Sequence, residues 1–364
     1  MPFSQDEYIA KAESYERSQE FIDITIAYAQ SLVSKNLPVI FTTEHLSSIL
    51  DIPISDLRRI IEDSSQYYKF YQIKKRNGKG FRQIMSPYNN LRIIQQFINE
   101  EILSKIPLHE NATGFTKGKS ILSNALPHQN KKAILNLDLL KFFDSISERR
   151  VYGIFKSMGY ATNLSVDLAK LTTVKLPEEY FNTFEARELK SYRGLVPRGS
   201  CVLPQGAPTS PTLSNLILRR LDLRLSKLAE KLQVDYSRYA DDITFSGEID
   251  NLPKIKLLSR IIRDEGLNIN WKKVGIYKKG RKQIVTGLTV SNDVHVHRNF
   301  KKEVKKHIYA CTNFGVENHL QFMGLENIHL YKEWLLGKIY FINSIEPETA
   351  KKMMNDFNKI VWTI

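Results

Sequence analysis

Val234-Asp235-Tyr236-Ser237-Arg238-Tyr239-Ala240-Asp241-Asp242-Ile243-Thr244-Phe245-Ser246 sets two β-branched and aromatic runs on either side of an adjacent acidic pair. The pattern predicts a hairpin with its carboxylates at the turn. Side chains alternate along a strand, so Asp241 and Asp242 can share one site only where a tight turn breaks the alternation. Two like charges so held repel, and a divalent cation offsets the repulsion. A solvated turn can carry the same two residues, so their meaning depends on the chain around them.

A third acid comes from Ala133-Ile134-Leu135-Asn136-Leu137-Asp138, an apolar run that reads as a buried strand releasing a carboxylate at its end. Helix capping is the other reading of Asp138, but Asp144 or Ser145 is the better N-cap for the helix expected over 148–157. Leu203-Pro204-Gln205-Gly206-Ala207-Pro208-Thr209-Ser210-Pro211 is a rigid turn running into an amphipathic helix, with Gly206 allowing close backbone approach. Any ordered loop–helix junction shares that outline. Residues 68–73 and 81–85 read as a hairpin turned by Asn77-Gly78, and Lys74, Lys75, Arg76, Lys79 and Arg82 crowd it. Such cations suit phosphate, although solvation accounts for the lysines equally well. Residues 113–120 are rich in Gly and Lys but miss the P-loop intervals, because Gly114 sits one place too close to Gly118.

The excess of 53 Lys and Arg over 39 Asp and Glu, a formal charge of +14, favours a polyanionic partner, most commonly nucleic acid, with a basic but unrelated soluble enzyme as the alternative. Two cysteines, Cys201 and Cys311, are too few for a disulfide framework or a zinc cluster. No signal-peptide h-region and no spanning apolar run is present, which predicts a cytoplasmic chain without a membrane partner.

Helical spacing covers 5–36, with a break between Tyr15 and Phe21, and further helices start near Thr42 and Pro53. These helices read as a buttress, with a DNA-reading helix-turn-helix as the alternative. A packing helix is expected over 89–105, a short one over 120–126, and a basic one over 251–265. Residues 284–291 read as a strand and 299–364 as a separate helical lobe. The irregular stretch 175–200 contains Leu195-Val196-Pro197-Arg198-Gly199-Ser200, the recognition hexamer of a tag-removal protease, and carries no functional weight.

Together Asp138, Asp241 and Asp242 predict a two-metal site, in which one ion activates a primer hydroxyl and the other stabilises the leaving pyrophosphate. Phe143, five residues past Asp138, is a candidate wall under the sugar.

Leu137-Asp138 with Phe142-Phe143, the 203–211 stretch and Tyr239-Ala240-Asp241-Asp242 resemble, in order and spacing, the catalytic motifs of reverse transcriptases. The resemblance implies an α+β right-hand polymerase fold: an N-terminal helical region over 1–66, fingers over 67–132, palm over 133–298 with an inserted loop at 175–200, and a helical thumb over 299–364. It implies Mg2+ on Asp138, Asp241 and Asp242, Arg82 on the incoming triphosphate, Gln205 near nucleotide and template, Phe143 under the sugar, and Lys273 near the phosphates.

Asn124-Ala125-Leu126-Pro127-His128 and Val285-Thr286-Gly287 are similar to elements of the bacterial retron enzymes, which implies RNA-binding roles for Asn124, His128, Val285, Thr286 and Gly287. Asp144 departs from the Pro that such relatives often carry. The resemblance further implies dNTP substrates and a cognate structured non-coding RNA primed from a guanosine 2′-hydroxyl. It also implies a branched RNA-linked single-stranded cDNA product and a separate effector protein in anti-phage defence. A group II intron-like or defence-associated reverse transcriptase without such an RNA, and an RNA-binding scaffold without catalysis, stay open as alternatives.

Overall fold

Strand-forming residues gather in a few short runs, and helix-period residues fill most of the remaining chain. The structure, a computed structural model, describes residues 3–74, 81–181, 186, 189–190, 194, 199–324 and 330–362. The expected Asn77-Gly78 turn and most of the 195–200 hexamer lie outside the described residues. Ten strands are described: β1 (Tyr68–Lys74), β2 (Phe81–Pro87), β3 (Ala133–Asp138), β4 (Val174–Lys175), β5 (Cys201–Val202), β6 (Asp235–Tyr239), β7 (Asp242–Gly247), β8 (Gly275–Lys278), β9 (Ile284–Val285) and β10 (Leu288–Thr289). Among the described residues no helix is long and apolar enough to cross a membrane. The chain divides into two units.

The first unit holds 1–115, 139–225 and 255–270. Helices Gln5–Ser14 and Gln19–Val33 are separated where Glu16 takes φ 55°, and Ser18 caps the second by accepting from Phe21 N. Thr42 caps Thr43–Leu50 in the same way. β1 and β2 pair antiparallel from Tyr68↔Pro87 to Lys74↔Phe81. The expected 89–105 helix is regular only over Asn89–Phe97, then widens into a π turn at Ile98–Ile102 and tightens at Leu103–Lys105. Ile94, Ile98 and Ile102 recur every four residues, a spacing that drifts by about 40° per step on an α-helix. The wider turn reduces that drift, and all three stay fully buried. The basic helix starts late, at Ile255, because Pro253 precedes it; it buries Leu258, Ile261 and Ile262.

The second unit holds 116–138, 226–254 and 271–364. Its sheet has the order β6-β7-β3-β8, antiparallel throughout, with β8 at an edge. Central β3 is buried along nearly its whole length, as its unbroken apolar run requires. Two expectations are corrected here. The 284–291 stretch is not one strand but a tight hairpin, because Thr286 (φ 46°) and Gly287 (φ 83°) are both left-handed, as a two-residue primed turn demands. The 299–364 helices are not a lobe with its own core. Leu335, Ile339 and Phe357 share one apolar cluster with Ile134 of β3 and with Val285, Leu288 and Val290 of the hairpin region.

Candidate active site

The register of β3 on β7 sets Asp138 directly opposite Asp242, while β6 pairs Tyr239 with Asp242. Ala240 and Asp241 therefore form the two-residue turn between β6 and β7, and Ala240 takes φ 55°. A positive φ at the first loop position is the type II′ pattern, where glycine is the ordinary choice. Arg238, fully buried, donates from Nη1 to Ala240 O at 3.0 Å. The sequence reading missed this tether. Its signal was a cation inside a strand, two places before the turn.

Asp138 is nearly buried, and Lys273 Nζ donates to its Oδ2. Burial works against the Lys273 charge, but bonding and attraction to Asp138, then attraction to Asp241 and Asp242, raise its pKa on balance. The protein crowded around Asp242, followed by the charges of Asp241 and Asp138, pushes its carboxyl up to about 7, although part of the residue is open to solvent. These hard oxygen donors fit a divalent cation such as magnesium. Among the described residues no three His, Cys, Asp or Glu are gathered into a ready cage. Magnesium typically takes one or two carboxylates and completes its shell with water and substrate phosphates, so the donor set still fits.

His128 is fully buried, with Nδ1 2.7 Å from Ser246 Oγ and Nε2 2.8 Å from Ser237 Oγ. It bridges the two strands that carry the acidic turn. Burial pushes its imidazole down to about 4 and keeps it neutral. Asn124 and Val285 are likewise buried, each about 1% exposed. The RNA-binding role expected of Asn124, His128 and Val285 falls on side chains that the fold closes off from solvent.

Thr286 is half-buried and Gly287 exposed at the tip of the β9–β10 hairpin. The hairpin is tied to the residues that flank 124–128. Thr286 Oγ1 donates to Ile121 O at 3.2 Å, Gln283 Nε2 to Lys131 O at 3.1 Å, and Asn130 N to Val290 O at 2.9 Å. Lys132, Lys278, Lys279, Arg281 and Lys282 are exposed nearby in the chain, as are Trp271 and Tyr277. Cations and open aromatic faces together suit RNA phosphates and unstacked bases.

The remaining sequence-predicted residues belong to the first unit. Gly206 takes φ 120°, and a Cβ there would stand 2.9 Å from Ile84 Cγ2 and 3.1 Å from Met85 O, so only glycine lets the loop lie on β2. Met85 N donates to Gln205 O at 2.8 Å. A cavity of about 450 Å3 is lined by Gln205, Gly206, Phe143, Phe115, Arg92 and Gln96, among others. Gln205 and Phe143, expected near the nucleotide, share it with Arg92 and Gln96, one turn apart on the helix Asn89–Phe97 and not singled out in the sequence. Arg82 lies exposed on β2 opposite Ile73.

Residues 73–290 match the family described as reverse transcriptase (RNA-dependent DNA polymerase). The chain is 31% identical over 343 residues to the retron Mx65 reverse transcriptase of Myxococcus xanthus, covering 93% of this chain and 76% of that protein. It is 36% identical over 269 residues to the retron Mx162 reverse transcriptase of the same organism, covering 69% and 53%. Against the retron Ec86 reverse transcriptase of Escherichia coli it is 31% identical over 331 residues, covering 89% and 91%.

Proposed function

The chain belongs to the reverse transcriptase family, as a retron enzyme, and from that premise we propose how its residues divide the work. It is an RNA-directed DNA polymerase with an RNA template and a DNA product, of the right-hand polymerase fold, in a family that uses divalent metal ions.

The observation that carries the residue assignment is the pairing of Asp138 with Asp242, with Asp241 in the adjoining turn. Asp138, Asp241 and Asp242 would hold Mg2+, as two ions completed by substrate phosphates, and the bound metal would supply polarisation of the attacking hydroxyl and charge to offset the leaving phosphates. Asp138, Asp241 and Asp242 supply the negative charge that fixes it. Lys273, bonded to Asp138, holds that carboxylate in place and offers a cation to phosphate oxygens. Arg82 clamps the triphosphate, Gln205 orients nucleotide and template, and Phe143 walls off the position of a 2′-hydroxyl.

RNA selection belongs to the Thr286–Gly287 tip and the cations of 278–282. Asn124, His128 and Val285 serve it from beneath, by holding the tip and the sheet together. The reaction is cytoplasmic, primes from a guanosine 2′-hydroxyl of a structured RNA, and leaves branched RNA-linked DNA. A separate effector protein, restrained by the resulting complex, completes an anti-phage system.

Primer extension on an RNA template tests the catalytic assignment. Asp241→Asn and Asp242→Asn should each abolish Mg2+-dependent synthesis while RNA affinity and melting temperature stay close to those of the parent. Extension near the parental rate in either variant contradicts it.

A further inference from the structure

Asp144 is a buried carboxylate that the polymerase chemistry does not use, in the turn that carries Phe143. That turn is tightly wound. Lys141 takes φ 46°, Ser145 N donates to Lys141 O at 2.9 Å, and Ile146 N donates to Phe143 O at 3.0 Å. Phe143 points its ring toward Phe115, with centroids 6.3 Å apart, and both line the 450 Å3 cavity with Gln205.

Tyr180, on the short helix Glu178–Phe181, reaches this turn from 36 residues away and donates its hydroxyl to Asp144 Oδ2. Lys141 closes the triangle, with Nζ 3.4 Å from the Tyr180 hydroxyl and 5.0 Å from its ring centroid. Asp144 and Tyr180 are 8% and 7% exposed, so water does little to replace either partner. Burial raises the Asp144 pKa, and the tyrosine hydroxyl and the Lys141 charge oppose that rise. A carboxylate desolvated at this depth is tolerated when hydrogen-bonded, and the same bond fixes the backbone on which Phe143 is mounted.

We propose that Tyr180, acting through Asp144, is a positioning residue for sugar selection: it holds the 143–145 turn so that the Phe143 ring stays in place as the wall of the nucleotide pocket. The proposal rests on reading Phe143 as that wall.

The test is single-nucleotide incorporation of dGTP and GTP opposite the same template base, with kcat and KM measured separately. The variants are Tyr180→Phe, Asp144→Asn, Asp144→Ala, Phe143→Ala, and Tyr180→Phe combined with Phe143→Ala. Tyr180→Phe should lower discrimination in kcat/KM about tenfold, the scale of one charge-assisted hydrogen bond, with kcat for dGTP within about twofold of the parent. Asp144→Ala should do the same. Asp144→Asn, which still accepts from the hydroxyl, should retain most discrimination. Added to Phe143→Ala, Tyr180→Phe should change nothing further. If Phe143→Ala relaxes selection but Tyr180→Phe does not, or if Tyr180→Phe lowers dGTP and GTP incorporation equally, the positioning role is overturned while the wall stands. Unchanged selection in Phe143→Ala removes the wall, and the proposal with it.

Discussion

Arg238 Nη1 donates to the carbonyl oxygen of Ala240 at 3.0 Å, joining a fully buried cation to the residue just before the adjacent carboxylates. Ala240 holds a φ that glycine adopts at less cost, and the bond from Arg238 helps keep it there. Arg238→Met should therefore loosen the turn and lower kcat for extension by roughly tenfold or more, since losing a buried charge-assisted bond costs about 1.5–3 kcal/mol. Arg238→Lys should recover part of the loss. Rates measured across a metal titration check this, and parental kcat with parental metal dependence in Arg238→Met counts against it.

His128 gives a stability prediction with a definite sign. Its folded pKa, pushed down to about 4, lies below the ordinary imidazole value, so the unfolded chain takes up the proton first as pH falls. The contribution is fully present above about pH 6.5 and is lost as pH falls toward 4, up to roughly 3 kcal/mol. Denaturant unfolding of the parent and His128→Gln across that range should show a steeper acid loss in the parent. Parallel curves contradict a neutral, buried His128.

Asp242 predicts how metal demand depends on pH. With its carboxyl pushed up to about 7, protonation competes with the metal at lower pH. The Mg2+ concentration for half-maximal extension should rise as pH falls from about 8 to about 6. Extension rates over a grid of pH and Mg2+ check it, and a half-maximal concentration independent of pH argues against shared occupancy.

Much of the fold and site was legible because period and punctuation carry it. The paired β6–β7 runs, the apolar run ending at Asp138, and Gly206 in its turn each state their own geometry. What the letters could not show is where a polar side chain ends up after packing. His128 follows a proline and precedes lysines, yet it lies under the sheet with Ser237 and Ser246 as partners. Tyr180 and Asp144 are 36 residues apart and meet only through tertiary packing. The Thr286–Gly287 hairpin was hidden because threonine, a β-branched residue, is an unusual occupant of a left-handed turn position.

The RNA platform should separate from the polymerase chemistry. Changing Thr286 and Gly287 together should impair selection of the cognate RNA and branched priming, while extension of an annealed primer on a generic template survives. Lys278→Ala with Arg281→Ala should weaken RNA binding and make it less sensitive to salt. The slope of log affinity against log salt should fall by about one unit for each RNA phosphate that the parent neutralises and the variant does not. Both reactions are measured on each purified variant at equal Mg2+ and salt. A parallel fall makes 285–287 an element of sheet stability; no fall makes it incidental to RNA choice.

The central claim is that this chain makes branched DNA from its own RNA. The direct measurement is to express the full chain with that RNA, purify the complex, digest the RNA, and determine what is bonded to the 5′ end of the DNA. The predicted result is single-stranded DNA joined to the 2′ position of one guanosine, and absent when Asp241→Asn replaces the parent. Linear DNA with an ordinary 5′ terminus, or bound RNA without DNA in the presence of Mg2+ and dNTPs, would contradict it.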